Sequence, residues 1–260
     1  MRTLRYARGA DALKLYVHYD DAWWRNALNL SQGTFNNSFA PACETSGTAA
    51  PQFAPLAGRY HDGHTVCDGP AASPCRGFLE AAYSYDEIAI SHYRPYLSSP
   101  SSYTVLEPDG SWEAAELVES VHQALLATHA SRLRAAGAFD RVSRMRPSMA
   151  VLSIWDSSSE GVGAGIHDWM RDANGLCTSF TGCLASMPPR AMQPFGAALP
   201  LYVANEAYGS RSGWCEGSLT QVENVLHSEG LPRPPFITEH IYQRWVLYNG
   251  TALSDGRAMS

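Results

Sequence analysis

The stretch that decides the fold is Ala12–Tyr19, with the sequence ALKLYVHY. Aliphatic residues alternate in it with polar or aromatic ones, and it is rich in β-branched and aromatic side chains. This combination is typical of a β-strand. Because successive side chains of a strand point to opposite faces, Lys14, Tyr16 and His18 share one face, and the leucine and valine side chains share the other. The stretch therefore predicts a strand that anchors a core and carries Lys14 on its opposite face.

Further elements are predicted outward from this strand. The clearest is a helix that begins after Ser111, a suitable N-cap, continues through about Ala136 and stops at Gly137. Apolar residues recur along it at helical spacing. The further strands predicted from their residue types are residues 77–86, 102–107, 149–155 and 199–205, the last two as buried strands.

Composition limits the class of protein. The chain has 260 residues, of which 45% are hydrophobic and 17% charged, which predicts one large globular domain or two small ones. No stretch approaches 18 consecutive apolar residues, so no membrane span is predicted. The formal net charge of −6 argues against a nucleic-acid partner. The first 20 residues lack the apolar core of a signal peptide, and this predicts a cytoplasmic location.

Lysine usage singles out one residue. The chain has 19 basic residues, and Lys14 alone among them is a lysine. An amine can shift its pKa and act as a compact, movable donor, whereas a guanidinium keeps its proton. Lys14 is therefore a candidate functional residue, although a leftover surface lysine explains the count as well.

The six cysteines are too few and too widely spaced for a disulfide scaffold, so reduced thiols are predicted. One alternative is a zinc-binding module. Its ligands would be His61, His64, Cys67 and Cys75, in a loop-like segment without a CxxC pair.

The segment with the strongest chemical signal is LYVANEAYGSRSGWCEGSLTQVENVL, residues 201–226. It predicts a strand, a turn that carries an acid, and a helix whose inner face includes Val222, Val225 and Leu226. Gly213 and Gly217 lack a Cβ and would let the backbone approach a ligand. The first turn of a helix presents unpaired N–H groups suited to an anionic or carbonyl ligand. A tight strand–helix turn with a packed tryptophan explains the same features without a ligand.

This segment resembles the closing FAD-binding motif of the flavin-containing amine oxidases, the family of monoamine, polyamine and L-amino-acid oxidases. The family pattern is an apolar strand, Ala-Gly-Glu-Ala/Thr, a short turn, Gly-aromatic-x-Glu-Gly-Ala and a helix. The chain has Ala-Asn-Glu-Ala at 204–207 and Gly-Trp-Cys-Glu-Gly-Ser at 213–218. A second stretch, from Lys14 to the aromatic pair Trp23–Trp24, is similar to a strand of the family's substrate domain.

The resemblance implies a role for each matching residue. Lys14 would hold a water at the flavin N5 and assist proton and O2 chemistry. Glu206 would contact the ribityl–diphosphate part of FAD, and Trp214 would form one wall of the cage that guides the amine. Phe180 is the candidate for the other wall, although Thr178 falls near the same position. The backbone around Trp214 and Cys215 would face the flavin's pyrimidine edge. The remaining residues of the implied cofactor site are Ala207, Gly213, Glu216 and Gly217.

Two departures from the family pattern limit the match. Asn205 replaces a glycine, and the chain has neither the GxGxxG unit that grips the ADP half of FAD nor the later Arg-Arg-Gly segment. The resemblance covers about residues 10–235 and corresponds to the C-terminal half of a family member.

The implied fold class is α/β: an α+β substrate domain with the last strand and helix of a Rossmann-like FAD-binding domain, whose N-terminal dinucleotide-binding part is missing. The implied divisions are residues 1–160 (substrate domain, with a mixed sheet and the helix at about 112–136), 161–235 (FAD-binding domain) and 236–260 (tail).

The implied activity is FAD-dependent oxidation of an amine or L-amino acid to the imine, with O2 reduced to H2O2. The implied partners are this substrate, O2 and a separate or missing FAD-binding half, with no metal. The rival interpretation is a non-catalytic remnant or interaction module of the same fold that no longer binds FAD.

Overall fold

The computed structural model describes residues 7–37, 54–60, 64–67, 75–97, 103–156, 164–169, 187–211 and 214–247. The chain divides into two units: a first unit of residues 11–163, and a second unit of residues 1–10 and 164–260. The fold is mixed α/β with antiparallel sheets. No helix among the described residues is long and apolar enough to cross a membrane.

The elements of the first unit are strands β2–β8 and helices α1–α4, and β1 (Ala7–Ala10) precedes them in the second unit. In chain order they are β2 (Ala12–Tyr19), α1 (Trp23–Asn26), β3 (Gly33–Asn36), β4 (Ala57–Tyr60), β5 (Thr65–Val66), β6 (Arg76–Ser84), α2 (Glu87–Tyr93), β7 (Tyr103–Leu106), α3 (Trp112–Ala135), α4 (Phe139–Val142) and β8 (Met149–Trp155).

The strands of the first unit form one sheet in the order β3-β4-β6-β2-β8-β7, and β5 pairs with β6. The predicted strand at 12–19 is confirmed as β2, between β6 and β8 in this order. The expectation of a mixed sheet is wrong for the described residues, because each of their strand pairs is antiparallel. Alternation reports which face of a strand is buried but carries no information about the direction of its neighbours.

Helix α3 supplies the apolar cover of this sheet. Its start and end follow the prediction: Ser111 Oγ accepts a hydrogen bond from Ala114 N, and Gly137 follows the helix with a φ of +64°. Such a positive φ favours glycine, because the residue lacks a Cβ. The core joins the inner residues of α3 to those of the central strands: Leu117, Val121, Leu125, Leu133, Leu13, Leu15, Val17, Leu152 and Ile154.

Strand β8 was predicted as a buried strand, and only one of its faces is buried. Ala150, Leu152 and Ile154 are buried, whereas the residues between them are half-exposed. Among the described elements, helix α3 covers one face of the sheet and the residues of the other face stay half-exposed, so burial alternates along the strand.

Two tyrosine–histidine hydrogen bonds join the sheet to α3. Tyr19 Oη lies 2.9 Å from His122 Nδ1, and the Tyr60 hydroxyl hydrogen-bonds His129 Nε2. His129 Nδ1 lies 2.7 Å from the carbonyl oxygen of Leu125. Since a carbonyl only accepts, His129 carries its proton on Nδ1, and its Nε2 accepts from Tyr60.

Cys67 and Cys75 form a disulfide, so the prediction of reduced thiols is wrong for this pair. Cys75 also receives a backbone hydrogen bond from Ala22, because its carbonyl oxygen lies 2.6 Å from Ala22 N. The two sulfur atoms are bonded to each other and are not available as zinc ligands. His61, another ligand of the alternative zinc site, lies outside the described residues, among which no group of three or more potential metal ligands occurs.

The remaining elements of the second unit are one strand and three helices. They are β9 (Ile166–Trp169), α5 (residues 187–192), α6 (Cys215–Ser228) and α7 (Glu239–Ile241). Strand β9 pairs antiparallel with β1. Part of the predicted tail is helical, because α7 continues into a π-helical turn at Tyr242–Val246.

The buried strand predicted at 199–205 is wrong. These residues have no regular secondary structure, and Leu199 and Leu201 are about half-exposed. No described strand pairs with this stretch to give its backbone a hydrogen-bonding ladder, so its apolar sequence alone does not produce a strand.

The inner face predicted for α6 is wrong at Val222, whereas Val225 and Leu226 are half-buried. Val222 is exposed, while Thr220, Gln221 and Asn224 are buried. These polar side chains hydrogen-bond neighbouring backbone groups, which explains why they can be buried.

The Tyr60–His129 contact predicts a pH dependence of folding. Burial lowers the pKa of His129, so the unfolded chain binds a proton first as the pH falls below about 6.5. The free energy of unfolding of the first unit should therefore be constant above that pH and should decrease below it. In the double variant Tyr60→Phe/His129→Leu, the free energy of unfolding should fall less steeply with decreasing pH, by up to about 1.4 kcal/mol per pH unit. Urea unfolding from pH 7.5 to 5, followed by the near-UV circular dichroism of buried Trp23 and Trp24, measures it.

Leu133→Ala is the matched control, since it destabilises the same helix without removing a titratable group. It should retain the slope of the parent chain. A slope that is unchanged in the double variant would contradict the assignment of a neutral, buried His129.

Candidate functional site

Lys14 lies on the face of the sheet opposite α3, as the alternation predicts. Its ammonium nitrogen is 4.7 Å from the centre of the Tyr83 ring, and the guanidinium carbon of Arg59 is 4.9 Å from the same centre. Among the described residues, no carboxylate forms an ion pair with Lys14. One tyrosine ring therefore holds two cations by cation–π contact.

A β-bulge creates this arrangement. Lys14 lies opposite Tyr83, and Tyr16 lies opposite Glu80, so β6 has one residue more than β2 between the two pairs. In a regular strand, residues three positions apart point to opposite faces. The extra residue places Glu80 and Tyr83 on the same face, beside Lys14.

Glu80 is a buried acid within this face, with 3% of its surface exposed. The Tyr16 hydroxyl donates a hydrogen bond to its Oε1 at 3.2 Å, and Arg59 Nε lies 3.9 Å from its Oε2. Burial and the neighbouring Glu80 carboxylate raise the pKa of Tyr16 to about 12. Tyr16 therefore remains a neutral donor at physiological pH.

Aromatic side chains continue the face beyond Glu80. His18 and Phe78 lie opposite each other on β2 and β6 with ring centres 4.9 Å apart, and Tyr16 contacts the same phenylalanine edge-on. Here the term "Lys14 face" denotes the set Lys14, Tyr16, His18, Arg59, Phe78, Glu80 and Tyr83.

The aromatic pair in the family-like stretch lies elsewhere. Trp23 and Trp24 are buried in the core, where they pack edge-on against Tyr19 and against each other. Their role in this structure is to fill the core next to α3.

In the second unit, Glu206 begins a short 3₁₀ turn, Glu206–Tyr208, that is held against α6. Gln221 of α6 accepts a hydrogen bond from Asn205 N at 2.8 Å and donates one to the carbonyl of Tyr208 at 2.6 Å. Asn205, which stands where the family has glycine, accepts a hydrogen bond from Ala207 N through its own side chain. The turn that carries Glu206 and Ala207 is thus positioned by one buried glutamine.

Gly217 is required by a close contact with the backbone of the same chain, and not, as expected, by the approach of a ligand. A Cβ at this position would lie 2.3 Å from the carbonyl oxygen of Arg211 and 3.5 Å from the Cβ of Glu206. The space beside its Cα is therefore filled by the preceding loop of the same chain, and it is not left open for a ligand.

The start of α6 is exposed. Trp214 occupies the N-cap position with 65% of its surface exposed and provides no side-chain cap, and Cys215 carries a free thiol. The backbone N–H of Glu216, followed by the Cys215 thiol, lowers the pKa of the Glu216 carboxyl. Gly213, Phe180 and Thr178 lie outside the described residues.

The structure brings some of the predicted residues together. Glu206, Ala207 and the start of α6 are neighbours in the second unit, and His167 Nδ1 of β9 lies 3.3 Å from Glu206 Oε1. Lys14 belongs to the first unit.

Sequence reasoning missed Arg59, Glu80, Tyr83 and Gln221. An acid in the apolar run GFLEAA was a usable signal for Glu80, because a buried carboxylate requires a partner. No local pattern marked the other three.

Neither a protein-family model nor a curated protein sequence matches this chain.

The role of Gln221 can be tested by Gln221→Glu. A charged carboxylate cannot donate to the Tyr208 carbonyl, so the pKa of the introduced acid should be raised in the folded state. The protonated form resembles the amide, so stability should be close to that of the parent below about pH 4.3 and should be lost as the pH rises. At pH 7 the expected loss is about 1–3 kcal/mol.

Hydrogen exchange of residues 201–211 at pH 4 and pH 7 measures this change, because it reports opening of the Glu206 turn. Gln221→Leu serves as the comparison, since it removes both hydrogen bonds and should open the turn equally at both pH values. Equal protection of Gln221→Glu and the parent at pH 7 would contradict the proposal that Gln221 positions the Glu206 turn.

Proposed function

We propose that the chain is the C-terminal half of an FAD-dependent oxidase of amines or L-amino acids. The substrate would lose a hydride from the C–H beside a neutral amine, and water would hydrolyse the resulting imine. The observation that carries the proposal is the position of the single lysine, accessible beside the ring of Tyr83. It agrees with the role that the family resemblance implies for Lys14.

The Lys14 face supports a role for this residue in proton transfer. No described carboxylate neutralises its ammonium group, so the group can donate to a water or a ligand. Tyr83 limits the positions of the long side chain, and a positioned donor is more effective than a mobile one. Lys14 would hold a water and move a proton to and from it.

The second unit contributes groups that fit the flavin end of FAD. The start of α6 lacks a side-chain cap, and the positive end of its helix dipole can stabilise negative charge on a ligand, while the Glu216 N–H interacts with its own carboxylate. Glu206, at the adjacent turn, would accept hydrogen bonds from ribityl hydroxyls. The cofactor, when bound, supplies hydride acceptance and the reduction of O2 to H2O2. Trp214 and Phe180 remain the proposed walls of the amine cage.

Exposed apolar residues support the proposal of a missing dinucleotide-binding half. Leu199 and Leu201 are exposed, as are Leu219 and Val222 on α6. Where exposed apolar groups form one contiguous patch, a partner commonly covers it. In the proposed intact protein, this partner would be the remainder of the FAD-binding domain.

A specific observation favours the second candidate, a non-catalytic module that has lost FAD. Arg211 fills the space beside Gly217, and Asn205 caps its own turn, so this loop is closed by contacts within the chain.

The Cys67–Cys75 disulfide bears on the location of the protein. Because such bonds persist in oxidising compartments, it argues against the expected cytoplasmic location.

Flavin binding distinguishes the two functions. The 260-residue chain alone should bind FAD weakly or not at all, because it lacks a glycine-rich diphosphate cradle. The chain joined to an upstream dinucleotide-binding half should copurify with FAD and form H2O2 with an amine or amino acid. Absorbance spectra and a peroxide assay over a panel of both substrate classes test this. A joined protein that binds no flavin would establish the non-catalytic alternative.

Lys14→Met should slow the flavin-loaded form. Methionine keeps the length and the apolar stem but removes the ammonium donor, so flavin reduction or reoxidation should slow by about 10²-fold. Stopped-flow absorbance of both half-reactions measures it. Lys14→Arg should rescue poorly, because a guanidinium is larger and retains its proton. Rates within about twofold of the parent, less than about 0.5 kcal/mol in barrier, would make Lys14 a bystander.

A further inference from the structure

The Lys14 face contains a second cation with unused donors. Arg59 approaches Glu80 only through Nε, at 3.9 Å, which is too long for a hydrogen bond. Among the described residues, none accepts a hydrogen bond from its two terminal amino groups, and its side chain is 45% exposed. The end of the guanidinium that recognises carboxylates in a bidentate manner is therefore accessible.

The charges on this face do not balance. Lys14 and Arg59 are both cationic, Glu80 is the one carboxylate of the face, and Tyr16 remains neutral. The described part of the face thus carries one excess positive charge. This excess matches a monoanion better than a doubly charged phosphate.

The bulge keeps the two cations on one ring. Without the extra residue in β6, Tyr83 and Glu80 would point to opposite faces, and Lys14 and Arg59 would lose their common contact. Bulges are over-represented next to active sites, where they redirect a side chain. Lys14 on β2 and Arg59 on β4 flank β6, at 4.7 Å and 4.9 Å from the Tyr83 ring centre, so a ligand that lies across this ring would reach both cations.

From these contacts we infer that Arg59 binds the carboxylate of the substrate, so that the substrate is an amino acid and not a simple amine. That the bound carboxylate belongs to a substrate rests on the proposed function. Arg59 would bind the carboxylate through its terminal amino groups, while Lys14, on the same ring, faces the reacting end. Tyr83 would fix the spacing of the two groups.

The single lysine makes this inference directly measurable without flavin. A chain labelled with ¹³C-lysine, and carrying no lysine-containing tag, gives one lysine side-chain NMR signal, that of Lys14. The probes are L-leucine, L-leucinamide and 3-methylbutylamine, which share a side chain and differ in the carboxylate. Sodium acetate is the carboxylate probe without a side chain, and sodium chloride at equal ionic strength is the salt control.

L-Leucine or acetate should shift the Lys14 signal to saturation. If leucine binds, its Kd should be at least tenfold lower than that of leucinamide, and 3-methylbutylamine should give no saturable shift. Arg59→Gln should raise the Kd of the binding carboxylate at least tenfold. The Kd of Arg59→Lys should lie between those of Arg59→Gln and the parent, since lysine keeps the charge without the bidentate geometry. Arg146→Gln, at an exposed position of the same unit, should match the parent. Circular dichroism melts confirm that each variant is folded.

Three results would overturn the inference: no saturable shift with either carboxylate, equal binding of leucine and leucinamide, or an unchanged Kd in Arg59→Gln. A shift that sodium chloride reproduces counts as the first of these. Arg59-dependent binding in a protein that never forms H2O2 would overturn the proposed oxidase and leave the carboxylate subsite standing. H2O2 formation from amines and amino acids alike, unaffected by Arg59→Gln, would overturn the carboxylate subsite and leave the proposed oxidase standing.

Discussion

The hydrogen bonds from Tyr19 to His122 and from Tyr60 to His129 are the constraint on which the first unit depends. The two histidines lie two turns apart on one stripe of α3, and their tyrosine partners come from β2 and β4. Buried polar groups of this kind are costly unless they are paired, so they restrict how the helix can lie on the sheet. Helix α3 covers one face of the sheet, and the opposite face is left for polar and charged side chains, with Lys14 among them.

The parts of the fold that could be predicted are those encoded by local periodicity. The alternation of ALKLYVHY indicated both the strand and the face of Lys14, and Ser111 and Gly137 marked the ends of α3. The bulge in β6 could not be predicted, because the sequence between Glu80 and Tyr83 is two alanines, which are compatible with a regular strand. The site depends on that bulge, so Lys14 could be named from the sequence, but its neighbours Arg59 and Tyr83 could not.

The errors in the second unit share a physical cause. Apolar residues at 199–205 and on α6 were assigned to a core, but a stretch of apolar residues reports only that burial is favourable, not which surface provides it. Here the side chains of α6 that face inward are Thr220, Gln221 and Asn224, because the groups they meet are backbone N–H and carbonyl groups of neighbouring segments. Satisfying those groups outweighs burying Val222, since an unpaired buried amide costs about 1–3 kcal/mol.

Arginine and lysine differ in chemistry at the Tyr83 ring, and the proposed roles would explain why a chain that otherwise uses arginine keeps one lysine there. A guanidinium delocalises its charge, stacks on the ring and leaves a planar fork for a carboxylate, but it does not release a proton. An ammonium group is compact, and its pKa responds to its surroundings. Holding both cations near one ring is unfavourable by charge repulsion, and Glu80 offsets only part of it. An anionic ligand at Arg59 would relieve the remainder, so the charge pattern of this face favours an anion at the guanidinium.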